Sequence, residues 1–306
     1  MKINFQRILC ATDLSDFSNS AVIQAIDMAK EFGATLYICH VIDLPMVSMH
    51  GAAFVYQEDQ IEEMKSGAFE QIRRLVKDTA LKWEPIVETG SVSGTLCRLA
   101  VEKRADLTIV STRGRTGLKR LFLGSVTEKL LRTIASPLLV VTAPEKAGII
   151  ERQFKGFGFK QILVGCDFSS DSDRAVQYGF SLAQEFQADI HLVHVLESVV
   201  YQDAIVPEVL RSDLHYELST NCRERLETLV PPEAHNWCHV NLACDGGKPF
   251  QVLKKYADTH QVDLIVLGVR GHSLVETMFL GSTTDRLIRG VACPVLSVCP
   301  PQGPLA

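Results

Sequence analysis

Two stretches decide the fold: Arg7-Ile8-Leu9-Cys10-Ala11-Thr12-Asp13-Leu14-Ser15 and Gln161-Ile162-Leu163-Val164-Gly165-Cys166-Asp167-Phe168-Ser169. Each is an apolar run closed by an acidic residue and a serine, and the two stand 154 positions apart. His40-Val41 and His194-Val195 keep that offset. Gly114 and Gly271, Gly124-Ser125 and Gly281-Ser282, and Pro137 and Pro294 are instead 157 apart, so the second copy has gained three residues between the matched blocks. A period this long is a duplicated domain, not a solenoid, whose repeats run roughly 20 to 50 residues. The seam at 144–158 mixes Pro, Gly and charge and interrupts the periodic pattern. The expected domains are residues 1–145 and 158–303.

Inside the first copy, short apolar runs at Ile8 to Ala11, Thr35 to Val41, Trp83 to Val87, Leu107 to Val110 and Leu138 to Thr142 alternate with helix-length stretches. Between the first two runs, Ala21, Ala25, Met28, Ala29 and Phe32 recur at three- and four-residue steps, the spacing of a buried helix face. Five strand-like runs separated by helices call for a doubly wound, mostly parallel sheet. Such sheets bind ligands outside the carboxyl ends of their strands, at the topological switch point. Asp13 lies just past one strand end, and Ser111-Thr112-Arg113-Gly114 just past another.

Composition narrows the function classes. The 306 residues are 46% hydrophobic and 22% charged, enough apolar surface for the cores of two ordinary domains. A net charge of -5 gives no global attraction to nucleic acid or to anionic membrane. The amino terminus lacks the apolar stretch of a secretion signal, and no run approaches the roughly 18 apolar residues of a membrane span. The nine cysteines form no C-x-x-C pair, and several, such as Cys39, sit inside apolar runs. They read as buried hydrophobes in a reducing compartment, without a disulfide framework or zinc site, and the expected location is the cytoplasm.

The chemistry concentrates where glycines precede a helix. A helix is expected to begin near Ser125, and Ser125 with Glu128 has capping-box spacing, as do Ser282 and Asp285. A cap does not need the second glycine upstream in both copies, where nine residues separate Gly114 from Gly124 and Gly271 from Gly281. Glycines let a backbone approach an anion, and a free helix start offers amide hydrogens and partial positive charge, so together they form a phosphate cradle. Gly268 extends the second copy to G-x2-G-x9-G-S, whereas Ser111 holds that leading place in the first. There is no Walker motif, since Gly246-Gly247-Lys248-Pro249 lacks its pattern.

With these motifs in view, each half resembles a universal stress protein domain, and the chain is similar to a tandem member of that family. The matched blocks run from Arg7 to Thr142 and from Gln161 to Cys299, and the family's signature, G-x2-G-x9-G followed by Ser or Thr, is complete in the second copy. The resemblance implies an α/β fold of two tandem doubly wound, Rossmann-like domains, each with a five-stranded parallel sheet of order 3-2-1-4-5. It also implies ATP or AMP at each switch point, with Mg accompanying ATP. Asp13 and Asp167 would contact the ribose and adenosine end, as suits a carboxylate facing hydroxyl donors. Ala11, Thr12, Gly165 and Cys166 would line the adenine pockets, and Val41 and Val195 would touch adenine. Ser111, Gly114, Gly124, Ser125 and Val126 would hold phosphates and ribose in the first copy, as would Gly268, Gly271, Gly281, Ser282 and Thr283 in the second. Because Cys166 lacks the hydroxyl of Thr12 and Ser111 replaces a glycine, the pockets are expected to differ. In the family the fifth strand pairs with its counterpart in another domain, so the two halves are expected to pair within one chain, leaving a different surface for any homodimer.

Alternatives stay open on the residues themselves. Asp13 and Asp167 also suit a helix start, and Arg113, Arg115, Lys119 and Arg270 could neutralise phosphate or simply be solvated. His40 and His194 read as core-edge residues, and 44–56 as either a lid or a plain connection. The leading expectation is a nucleotide-dependent stress-response or regulatory protein without catalytic residues. The alternatives are a slow ATP-hydrolysing enzyme on the same fold and an assembly module with one vestigial pocket.

Overall fold

The computed structural model describes residues 3–44, 48–49, 52–53, 56–76, 80–112, 123–142, 158–197, 208–269 and 281–299. The chain forms two compact units, Asn4–Lys155 and Gly156–Ala306, the latter joined by Met1–Ile3. Gly114, Gly271, the four basic loop residues and most of 44–56 lie outside the described residues.

The first unit runs β1 (Arg7–Ala11), α1 (Asp16–Phe32), β2 (Thr35–Ile42), α2 (Glu58–Leu75), β3 (Trp83–Thr89), α3 (Val92–Glu102), β4 (Leu107–Ser111), α4 (Ser125–Thr133) and β5 (Leu138–Val141). All pairings among these strands are parallel: β3 with β2, β2 with β1, β1 with β4, and β4 with β5. Parallel neighbours need crossovers, and the helices that supply them cover the faces, which makes the strands near-continuous apolar runs. Ile8, Leu9 and Cys10 of β1 and Ile109 of β4 are accordingly fully buried. Helix α1 begins where Ser15 accepts the Ser18 amide and ends at Gly33, whose φ of 61° closes the last turn. Its inner face includes Ala21, Ala25, Met28 and Ala29, as the spacing predicts, while Phe32, expected on the same face, is half-buried and packs edge-on against Phe5.

The second unit repeats this plan as β6 (Gln161–Cys166), α5 (Ser170–Phe186), β7 (Asp189–Leu196), α6 (Glu208–Thr228), a 3-10 turn at Pro232–Asn236, β8 (Val240–Gly246), α7 (Pro249–Thr259), β9 (Leu264–Gly268), α8 (Ser282–Gly290) and β10 (Val295–Val298). Its parallel pairs are β8 with β7, β7 with β6, β6 with β9, and β9 with β10. The three extra residues can now be located. Buried Ala68 and Ile72 of α2 match buried Cys222 and Leu226 of α6 at the shorter offset. Trp83 and Val240, which pair with the matched residues Leu36 and Ile190, keep the longer one. The insertion therefore falls after the long helix, where the 3-10 turn stands.

One expectation is corrected. Cys222 of α6 and Cys244 of β8 are joined in a disulfide. Their separation of 22 residues carried no signal, because the pairing is made by a helix lying on a strand and not by a local motif.

Candidate functional site

The carboxyl ends of β1 and β4, with the start of α4, enclose a cavity of about 690 Å³ in the first unit. Ala11, Thr12, Asp13, Val41, Ser111, Gly124, Ser125 and Val126 all line it. In the second unit Gly165, Cys166, Asp167, Val195, Gly268, Gly281, Ser282 and Thr283 line a cavity of about 210 Å³ at the corresponding place. Gly114 and Gly271 lie outside the described residues. Sequence reading missed the wall given by α2, where Met64, Gly67, Ala68 and Gln71 join the first cavity.

Asp13 sits at a sharp turn. Its Oδ1 accepts the Ser15 amide at 3.1 Å and the Ser15 hydroxyl at 2.6 Å, and Ser15 Oγ in turn accepts the Ser18 amide at 3.3 Å. Asp167, Ser169 and Ser172 repeat this arrangement at 3.0, 2.5 and 3.2 Å. The helix cap is therefore the serine, and the aspartate fixes it. Leu14 and Phe168, between the two, have φ of 64° and 61°, a left-handed conformation rare for bulky residues and one that concentrates at functional turns. His40 Nδ1 lies 2.9 Å from the Thr12 carbonyl and His194 Nδ1 2.7 Å from the Cys166 carbonyl. A carbonyl can only accept, so Nδ1 carries the proton in each ring. These histidines tie the end of the second strand of each unit to the turn that holds the aspartate.

The glycine-preceded helix starts are not capping boxes. Gly124 and Gly281 are themselves the N-cap residues, and among the described residues neither helix start has a side-chain cap. Glu128 and Asp285 instead pair with Arg132 and Arg289 one turn on. Thr127 Oγ1 donates to the Ser111 carbonyl at 3.0 Å and Thr284 Oγ1 to the Gly268 carbonyl at 3.1 Å, fastening each helix start to its strand end. A first turn without a side-chain cap leaves orphan amides and the positive end of the helix dipole at the cavity wall.

The two sites reach the same plan with different packing. A Cβ on Gly124 would meet the Thr112 carbonyl oxygen at 3.6 Å, an ordinary contact, so the described protein atoms leave room there. A Cβ on Gly165 would stand 2.6 Å from Leu267, whereas the first unit has Ala11 beside Val110: the larger leucine takes the space of the missing methyl. The Thr12 hydroxyl is not aimed at a ligand. It lies 2.9 Å from Ser18 Oγ and accepts the Leu14 amide at 3.0 Å. Its replacement by Cys166 therefore changes the turn and removes no pocket donor. Burial pushes the Cys166 thiol up to about 12, with the Asp167 charge adding to it, so this thiol stays protonated at physiological pH. Among the described residues no cluster of three or more His, Cys, Asp or Glu could hold a metal ion.

Comparison with known proteins gives a consistent picture. The universal stress protein family model matches residues 4–142 and 158–298. A universal stress protein of Mycolicibacterium smegmatis is 26% identical over 304 residues, covering 96% of this chain and 97% of its own. One from Methanocaldococcus jannaschii is 31% identical over 144 residues, 46% of this chain and 85% of that one. Among solved structures, a universal stress protein from Archaeoglobus fulgidus aligns with a TM-score of 0.66 at 22% identity, over 96% of each chain, and so shares the fold.

Proposed function

The chain belongs to the universal stress protein family, and from that premise we propose that it is a nucleotide-dependent regulator of the stress response, acting in the cytoplasm and binding ATP or AMP in its switch-point cavities. The observation that supports this most is the first cavity, where Asp13 and the start of α4 without a side-chain cap face one space of about 690 Å³. The residues suit an adenine nucleotide. The carboxylate accepts from ribose hydroxyls, while Ser125 and Val126 offer backbone amides to phosphates where a side chain at Gly124, whose own amide donates to the Thr112 carbonyl at 3.1 Å, would intrude. The wall of Val41, Ala68 and Leu96 suits the faces of an adenine ring. With ATP, a magnesium ion would travel on the phosphates.

The experiment is mass analysis of any ligand released from the denatured protein, followed by calorimetric titration with ATP, ADP and AMP. In Gly124→Val the circular dichroism should be retained, because the Cβ meets only ordinary contacts, with a melting temperature lowered by the loss of a favourable N-cap residue, while binding in the first cavity is lost. Native affinity in that variant would refute the cradle.

A further inference from the structure

The cavities differ most where the long helix meets the turn after the aspartate. In the first unit Leu14 of the turn and Gln71 of α2 both line the opening. The residues matching them in the second unit are Phe168 and Arg225, and these pack on one another: the Arg225 guanidinium carbon is 3.8 Å from the centre of the Phe168 ring. That ring lies 4.6 Å, centre to centre, from His194, which is part of the cavity wall. Phe168 and Arg225 stand outside the described lining, and the cavity has about 210 Å³ where its counterpart has about 690 Å³. Three residues before Arg225, just under one turn of α6, is Cys222, bonded to Cys244 of β8. Their counterparts in the open unit are Ala68 and Val87, which cannot bond.

We infer that the second cavity is gated by the Cys222–Cys244 disulfide, which holds α6 where Arg225 covers Phe168 and keeps the site closed. The inference rests on the nucleotide reading of the cavities and adds a control to one of them. Opening requires a dithiol. Its thiolate attacks one sulfur to give a mixed disulfide, and its second thiol displaces the cysteine, so the dithiol is oxidised to its disulfide while Cys222 and Cys244 become two thiols. Cys244 is half-buried and Cys222 buried, so Cys244 is the more accessible of the two for the attacking thiolate. With the tether broken, Cys222 and Leu226 are the buried described anchors of α6, as Ala68 and Ile72 are for α2 beside the open cavity. A phosphate at the mouth then competes with the Phe168 ring for the Arg225 cation, because a charge-assisted hydrogen bond is the stronger partner.

The test uses the full chain, oxidised or treated with dithiothreitol, with the state of Cys222 and Cys244 read by alkylation and mass spectrometry. Titration with ATP should show the second site binding about tenfold tighter after reduction, as for a gate open a tenth of the time, while the first site stays constant. Cys222→Ala with Cys244→Val, which installs the first unit's residues, should bind tightly with or without reductant. Arg225→Gln with Phe168→Leu should bind tightly even when oxidised. Equal second-site affinity in both redox states and in the cysteine variant, with the first site binding normally, would overturn the gate. So would finding both thiols free after oxidant treatment. Should no nucleotide bind either cavity, the nucleotide reading fails, and the gate is judged by hydrogen exchange of amides 217–228: faster exchange on reduction supports it and unchanged exchange refutes it.

Discussion

A single glycine separates what a motif says from what a fold requires. Gly268 opens the glycine signature of the second copy, which invites a ligand explanation, yet a Cβ there would fall 2.8 Å from the Asp171 carbonyl carbon and 3.0 Å from its oxygen. Those are backbone atoms of α5 and cannot turn aside as a side-chain end can. In the first copy Ser111 holds the matching place and uses its hydroxyl, donating to the Phe17 carbonyl at 3.1 Å. Each residue thus solves the same meeting of strand end and helix start, one by omission and one by a hydrogen bond. Gly268→Ala should destabilise the second unit by about 1–3 kcal/mol, the usual cost of overpacking. Ser111→Gly should cost the first unit about 1 kcal/mol for its lost hydrogen bond. Urea denaturation followed by circular dichroism measures both, and a Gly268→Ala protein that unfolds at the native urea concentration would show that α5 gives way freely. The glycine spacing was legible in the sequence. Which glycines answer to packing was not, because that depends on distances between residues nearly a hundred positions apart.

At the scale of elements, the duplication offers its own control, since the two copies end the same helix differently. Helix α1 stops at Gly33 with φ 61°, whereas α5 stops at Gln187 with φ 51°, a left-handed conformation that costs a residue with a Cβ roughly 1–2 kcal/mol. Part of that is offset because glycine frees the unfolded chain. Gln187→Gly should therefore stabilise the second unit by roughly 0.5 to 1 kcal/mol, read as a higher urea midpoint, and a lower midpoint would mean that Gln187 makes contacts worth more than its strain. The central strands and α1 were readable because parallel strands buried on both faces are plain apolar runs and the inner face of α1 repeats at helical steps, whereas β8, Val240–Gly246, is half-buried or exposed throughout and gives no such run. The helices do start at Ser125 and Ser282, but the capping boxes expected there are absent for a physical reason. Ser-x-x-Glu spacing also arises when the acid pairs with an arginine four residues on, and Arg132 and Arg289 stand there. The α2 wall of the first cavity left a faint trace, in that Met64, Gln71 and their matches Leu218 and Arg225 are ordinary surface residues until the fold turns that helix toward the cavity.

At the scale of the whole molecule, duplication raises the question of what the fifth strands do. Within its own unit each ends the strand order, β5 after β4 and β10 after β9. Their sequences, Leu138-Leu139-Val140-Val141 and Val295-Leu296-Ser297-Val298, are apolar and β-branched, a composition that fits a covered strand. A strand at a sheet end presents a row of backbone donors and acceptors, and natural proteins pair or shield such a row. We propose that the two fifth strands pair with each other within the chain, so that one polypeptide takes the place of a two-chain dimer and any homodimer forms on another surface. The prediction concerns the isolated half. Residues 1–145 alone should either self-associate through β5, giving twice the monomer mass by light scattering, or aggregate, because the counterpart strand has been removed. Val140→Pro deletes one amide donor and places a ring in the ladder, so it should abolish that dimer. If the isolated half is a well-behaved monomer whose mass the proline leaves unchanged, the fifth strand is not the joining surface.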